Sequence, residues 1–185
     1  SEVHGLVALM EIQASRMHAR TDDDGRPVLL LEQDRTRWDA LLIRRGLAAL
    51  ARSATLGGAR GPYALQAAIA GCHARAQRAE ATDWVQIVAL YDALAQVAPS
   101  PVVELNRAVA VGMAFGAQAG LELVDALAAE PALAGYRWLP SVRGDLLAKV
   151  GRIEEAATEF ERAAAMTSNA RERELLLGRA RTCRE

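Results

Sequence analysis

One helix face recurs through the second half of this chain, and nothing else in the sequence constrains the fold as tightly. Ile153, Ala156, Ala157, Phe160, Ala163 and Ala164 follow the steps of one side of an α-helix. The same steps from Ala117 reach Gly120, Leu121, Val124, Leu127 and Ala128; from Trp84 they reach Ile87, Val88, Tyr91, Leu94 and Ala95. The starts lie 33 and 36 residues apart. A helix with one apolar face must bury it against a neighbour, so a face repeated at this interval predicts stacked helical hairpins. Composition agrees. Hydrophobic residues make up 51% of the chain and aromatics only 4%, and such alanine-rich text favours closely packed helices over sheet. The expected fold is all-α.

Read in order, Glu2 to Arg20 forms an amphipathic helix, with Val3, Leu6, Val7, Met10, Ala14 and Met17 on its apolar side and Glu11, Arg16 and Arg20 toward water. Thr21-Asp22-Asp23-Asp24-Gly25-Arg26-Pro27 is a turn. Asp side chains bond local amides, Gly tolerates positive φ, and Pro stops a helix. Val28 to Leu31 is either an extended segment pinned against helices or a loop tucked into the core. Trp38 opens a second helix, from about Thr36 to Ser53. Leu56 to Gly61 is a linker, and Pro62 starts a helix reaching about Gln77. Thr82-Asp83 caps the helix from Trp84, which ends at Pro99-Ser100-Pro101. Two hairpins follow, Pro101–Phe115 with Ala117–Ala129, and Leu139–Val150 with Ile153–Thr167, turning at Gly116 and Gly151. Ser168-Asn169 caps a final helix, Ala170 to Cys183. Residues 1–60 are thus read as N-terminal helices with an Asp-rich connector, and 61–185 as repeats with a capping helix, the two packing as one compact unit. Ser1 in place of Met, with helical text at once, reads as a piece of a longer protein.

Counting back from the partner helices, Ala108 aligns with Gly144 and Val111 with Leu147, and the small residues permit close helix approach. Gly144, Leu147, Ala156, Phe160 and Ala163 follow the tetratricopeptide spacing, although Pro140 and Glu104 stand where that pattern has Trp. More of the text carries a further likeness. Trp84 to Asp92, Ser100 to Ala110 and Val142 to Leu147 resemble the C-terminal extension of extracytoplasmic-function (sigma-24 type) RNA polymerase sigma factors that carry a tetratricopeptide domain. Gly5 to Met10, Asp22 to Arg26 and Glu32 to Arg35 resemble the segment joining that extension to the sigma regions. The resemblance covers nearly the whole chain. It implies a regulatory domain in the bacterial cytoplasm that contacts core RNA polymerase or the sigma regions of its own chain. An Asp-Gly-Arg motif in the connector matters in that family, and here it falls on Asp24, Gly25 and Arg26, with Asp22 and Asp23 beside them. The resemblance implies no catalytic residue and no cofactor.

The residues themselves name further candidates. A net charge of −1 argues against general nucleic-acid or membrane binding. Asp22, Asp23 and Asp24 are oxygen donors, but they lack the alternate spacing of a calcium loop. They are therefore read as a solvated turn, as a contact loop to another domain, or, in a rival reading, as the centre of a metal-dependent enzyme. Arg26, Asp34 and Arg35 offer paired charges and Trp38 an anchor for such a contact. On the repeats, Asn106, Arg107 and Arg143 are polar candidates for a partner, together with Glu104 and Asp145. A free-standing tetratricopeptide adaptor for short peptides is the other rival. His4, His18 and His73 show no metal or triad spacing, and Cys72 and Cys183 no redox motif. Gly57 to Gly61 lacks the Lys and Ser/Thr of a phosphate loop. The arginines from Arg171 to Arg184 alternate with glutamates and read as a solvated capping helix.

Overall fold

The computed structural model describes residues 1–185, and the protein is all-α: nine α-helices with four short 3-10 turns. An isolated antiparallel bridge joins Thr21 to Pro27. The chain divides into two compact units, Ser1–Pro99 and Ser100–Glu185. The division falls at Pro99-Ser100-Pro101, where the prolines end one helix and begin another. No helix is long and apolar enough to cross a membrane.

The first unit contains α1 (Glu2–Ala14), α2 (Ala40–Thr55), α3 (Pro62–Arg75) and α4 (Trp84–Val97). Helix α1 packs on both α2 and α3, and α4 packs on α3. Here the expected burial of α1 is overturned. Its large apolar side faces out: Val3 is 73% exposed, Met10 62%, and Leu6 and Val7 are also exposed, as is Met17 just beyond the helix. The buried side is Gly5, Ala8 and Ile12, followed by Ser15 and Ala19. The cause is close approach. A Cβ on Gly5 would lie 2.8 Å from the backbone nitrogen of Ala64, and one on Gly46 would lie 2.6 Å from Cγ1 of Ile12. Two neighbouring helices come near enough that Gly5 of α1 and Gly46 of α2 are the residues that admit the contact, with Ile12 packed against Gly46.

The second helix starts later than its sequence suggests. Asp39 accepts hydrogen bonds from the amides of Leu41 and Leu42 at 2.8 and 3.0 Å, fixing the start at Ala40. Trp38 does not open the helix; it is extended and buried ahead of the cap. Val28 to Leu30 form a half-buried loop held by a bond from the Val28 amide to the Arg20 carbonyl. Leu65, Ile69 and Cys72 of α3 are buried as read, as are Ile87, Val88 and Leu94 of α4. Asp83 caps α4 by accepting from the Gln86 amide at 2.9 Å.

The second unit contains α5 (Pro101–Phe115), α6 (Ala117–Leu127), α7 (Trp138–Lys149), α8 (Ile153–Met166) and α9 (Ala170–Arg184). Each packs on the next in the chain. The recurrent face is the core. Gly120, Leu121 and Val124 are buried on α6, and Ala156, Ala157, Phe160, Ala163 and Ala164 on α8. The face loosens at its ends, where Ala128 and Ile153 are exposed. Small residues set the spacing. A Cβ on Gly144 would lie 2.8 Å from the Phe160 ring, and one on Gly120 would lie 2.8 Å from the Ala108 carbonyl oxygen. Asn169 caps α9, accepting from the amides of Arg171 and Glu172.

Candidate functional site

The Asp-rich turn closes on itself. One carboxylate oxygen of Asp22 accepts from the amides of Asp24 and Arg26 at 3.0 and 2.7 Å. The backbone adds two bonds, from the Asp22 amide to the Arg26 carbonyl and from the Gly25 amide to the Asp22 carbonyl, both 3.0 Å. Gly25 has φ 74°, a left-handed conformation that costs glycine little and other residues more. Asp24 and Arg26 then form an exposed ion pair at 3.1 Å. The result is a self-bonded loop that presents Asp23, Asp24 and Arg26 to solvent. The Asp22 carboxylate is committed to local amides and that of Asp24 to Arg26, and no group of three or more His, Cys, Asp or Glu side chains is placed to hold a metal ion.

The connector after the turn is clamped inward. Asp34 accepts from the hydroxyl and amide of Thr36 at 2.7 and 2.9 Å, and these bonds hold its carboxyl below the usual range. Arg35 reaches the opposite way. Its guanidinium donates to the carbonyls of His73 and Ala76, the latter at 2.7 Å, and to the Thr82 hydroxyl at 3.3 Å. It also lies over the Trp38 ring, 4.9 Å from the centroid. Arg16 covers the same ring at 5.7 Å. Arg35 and Trp38 therefore tie the connector to the C-terminal end of α3 and the turn before α4, and Trp38 is an anchor within its own unit.

Two residues of this cluster were not legible as such. Arg16 reads in the sequence as a solvated helix residue, yet it is half-buried beside Trp38, and His73 reads as an ordinary helix histidine, yet it is buried with its ring edge-on to Trp84 at 5.2 Å. Burial, with the charges of Arg16 and Arg35, pushes the His73 imidazole down to about 4. Burial, with Arg20 and Arg35, lowers Arg16 to about 10. The one available sequence signal was the recurrence of Gln13, Arg16 and Arg20 on one helix end, without a carboxylate at matching spacing.

In the second unit, Arg143 joins three helices. From α7 it donates to Asp125 of α6 at 2.8 Å and to Glu159 of α8 at 3.0 Å. It lines a cleft with Glu154, Glu155, Thr158 and Glu159. Arg107 pairs with Glu104 one turn away at 3.5 Å, and Asn106 is exposed on α5. Arg143 is thus engaged in packing, while Asn106 is the candidate on this unit with the most open face. The turn belongs to the first unit and these three residues to the second.

Comparison with known proteins places the first of these features in a wider group. Residues 1–54 match a family of unknown function (DUF6596). That segment runs from α1 through nearly all of α2 and includes the Asp-rich turn, Arg16, Arg35 and Trp38. An uncharacterized protein of Rhizobium meliloti (strain 1021) is 47% identical over 171 residues, covering 92% of this chain and 40% of the relative. The chain therefore spans about 40% of the length of the curated relative it matches. No solved structure matches.

Proposed function

We propose that this chain is the regulatory, protein-binding part of a bacterial RNA polymerase sigma factor, working in the cytoplasm by docking rather than by catalysis. The observation that carries the reading is the outward apolar side of α1. Val3, Leu6, Val7 and Met10 face solvent on one helix, and Met17 follows. A helix that buries Gly5, Ala8 and Ile12 yet leaves Val3, Leu6, Val7 and Met10 exposed on its other side presents a surface suited to a groove on a partner protein. The Asp22 to Arg26 turn follows directly in the chain. Its self-closure means that little ordering entropy is lost when Asp24 and Arg26 are engaged.

The partner in this proposal is core polymerase or the sigma regions of the same protein. The text likeness to sigma-factor extensions supports it, as does the greater length of the Rhizobium relative, of which this chain matches only a part. In the same proposal, α5 to α8 are tetratricopeptide-like hairpins. Burial of Ala156 and Ala163, and the seating of Gly144 against Phe160, support that reading. The repeats then act as a scaffold, and Asn106 offers them a secondary contact.

Binding tests the proposal. The 185-residue chain, immobilised, is expected to bind purified core polymerase or the purified sigma regions saturably. Replacing Val7 and Met10 together with Asp should weaken that binding at least tenfold while leaving the helical circular-dichroism signal unchanged. Failure to bind either partner, or unaltered binding by the double variant, contradicts the reading.

A further inference from the structure

Helix α2 turns a row of arginines to solvent with no carboxylate among them. At roughly 100° per residue, Arg44, Arg45 and Arg52 fall with Leu41, Ala48 and Thr55 within an arc of about 100°. All six are exposed. Gly46 and Ser53, the buried residues of the helix, lie on the opposite side. The helix contains no acid at all. Arg45 reaches Glu11 of α1 at 2.6 Å yet stays 61% exposed, and Arg44 and Arg52 stand in open solvent.

Exposed arginines are ordinary, because water satisfies them. What sets this face apart is the segregation of charge. From Arg35 to Arg78 the chain carries eight arginines and a single acid, Asp39, whose carboxylate is taken up by the amides that start α2. Residues 1–34 carry seven acids and three arginines, and residues 79–99 three acids and no Lys or Arg. A strongly basic stretch thus lies between two acidic ones, and the overall charge of −1 conceals it. The exposed surface of the second unit is mixed instead, with Arg152 paired to Glu155 and Arg184 to Glu161. Like charges gathered on one side of a helix repel one another and attract an anion.

The surroundings of the arginines define that anion. Ala48 and Ala51 are exposed but rise little above the backbone. The guanidinium groups therefore stand clear along a 16-residue helix, which is about 24 Å long, and a smooth polyanion can lie against them. Guanidinium forks match phosphate oxygens. Leu41 and Leu56 are exposed only at the two ends, so the middle lacks the apolar anchor on which a protein interface centres. No aromatic side chain on the face offers a base a stacking platform, which favours a duplex over a single strand.

We propose that the exposed side of α2, through Arg44, Arg45 and Arg52, is a docking surface for the phosphate backbone of duplex DNA. Arg37 and Arg60, exposed just before and just after the helix, extend it. The contact positions the chain on DNA and reads no sequence. This surface is separate from the apolar side of α1; only the choice of DNA over RNA rests on the transcriptional reading above.

Fluorescence anisotropy of a short labelled DNA duplex with the 185-residue protein, across a salt series, tests this. Binding at low salt is expected to be saturable, and log K should fall with log salt at a slope of about −3, for about three phosphates neutralised. Arg44→Gln/Arg52→Gln should weaken binding at least tenfold and flatten the slope by about two. Gln keeps the helix propensity of Arg, so circular dichroism should be unchanged. Arg162→Gln/Arg181→Gln removes the same charge from exposed positions of the second unit and should stay within about twofold of wild type. No saturable binding, an equal loss in both double variants, or labelled poly-glutamate bound as tightly as DNA would overturn the proposal, the last by assigning the face to an acidic protein. A duplex RNA bound more tightly than the DNA would overturn the choice of nucleic acid. The assay contains no polymerase and no sigma region, so its failure and a failure of polymerase docking are read separately.

Discussion

At the scale of single residues, Asp24 and Arg26 are exposed and contribute little to the shape of the turn that carries them. Their ion pair is exposed, and exposed pairs contribute at most about 1 kcal/mol. The turn is shaped by Asp22 and Gly25 instead. Replacing Asp24 and Arg26 together with Ala should therefore change stability by under about 0.5 kcal/mol, measured by urea denaturation. His73 makes the opposite case. Folded, it titrates at about 4; unfolded, at its ordinary value near 6.5. The unfolded chain thus binds more protons between those values, and stability falls as pH drops through that window. The full difference corresponds to roughly 3 kcal/mol, an order-of-magnitude figure, fully present above about pH 6.5 and lost by about pH 4. Urea midpoints at pH 7 and pH 4.5 check this, with His73→Gln expected to flatten the difference. The turn chemistry was legible because Asp and Gly act locally. The cluster around Trp38 was not, because its members approach from three separate parts of the chain and arginine ordinarily reads as solvated.

At the scale of elements, helix positions were legible and one helix face was not. Pro101, Gly116 and Gly151 punctuate the second unit so plainly that α5 matches its expected span. The α8 face was equally readable, because alternating small and large residues fill a core at the helical period. The α1 face was misread because size was taken as the guide to direction. In α1 the determining residue is Gly5, whose missing side chain admits the Ala64 backbone. Gly5→Ala should accordingly destabilise by about 1–3 kcal/mol, the range for overpacking against atoms that cannot move aside. Met10→Ala, on the outward side, should stay within about 0.5 kcal/mol. Thermal melts of the pair distinguish the two faces. In the second unit, Phe160 is 1% exposed and seated on Gly144, so Phe160→Ala should cost about 3–5 kcal/mol.

At the scale of the whole molecule, the proposed function makes the helices of the second unit a scaffold and the N-terminal region the part that docks. The division into units at Pro99 places α3 and α4 with α1 and α2, so the recurrence that begins at Trp84 crosses from one unit into the next. Sequence periodicity marks which faces are buried. It does not mark where one cooperative unit stops, because the boundary is set by contacts between helices and not along them. The central proposal is that the N-terminal region acts on transcription through surfaces it leaves open. Multiple-round transcription by core polymerase with the full-length protein, taken as the sigma factor of the proposal, tests it most directly, comparing wild type with the Asp24→Ala/Arg26→Ala and Val7→Asp/Met10→Asp variants. The account predicts that both change transcript yield several-fold while the folded fraction stays the same. Wild-type yield from both variants would contradict it.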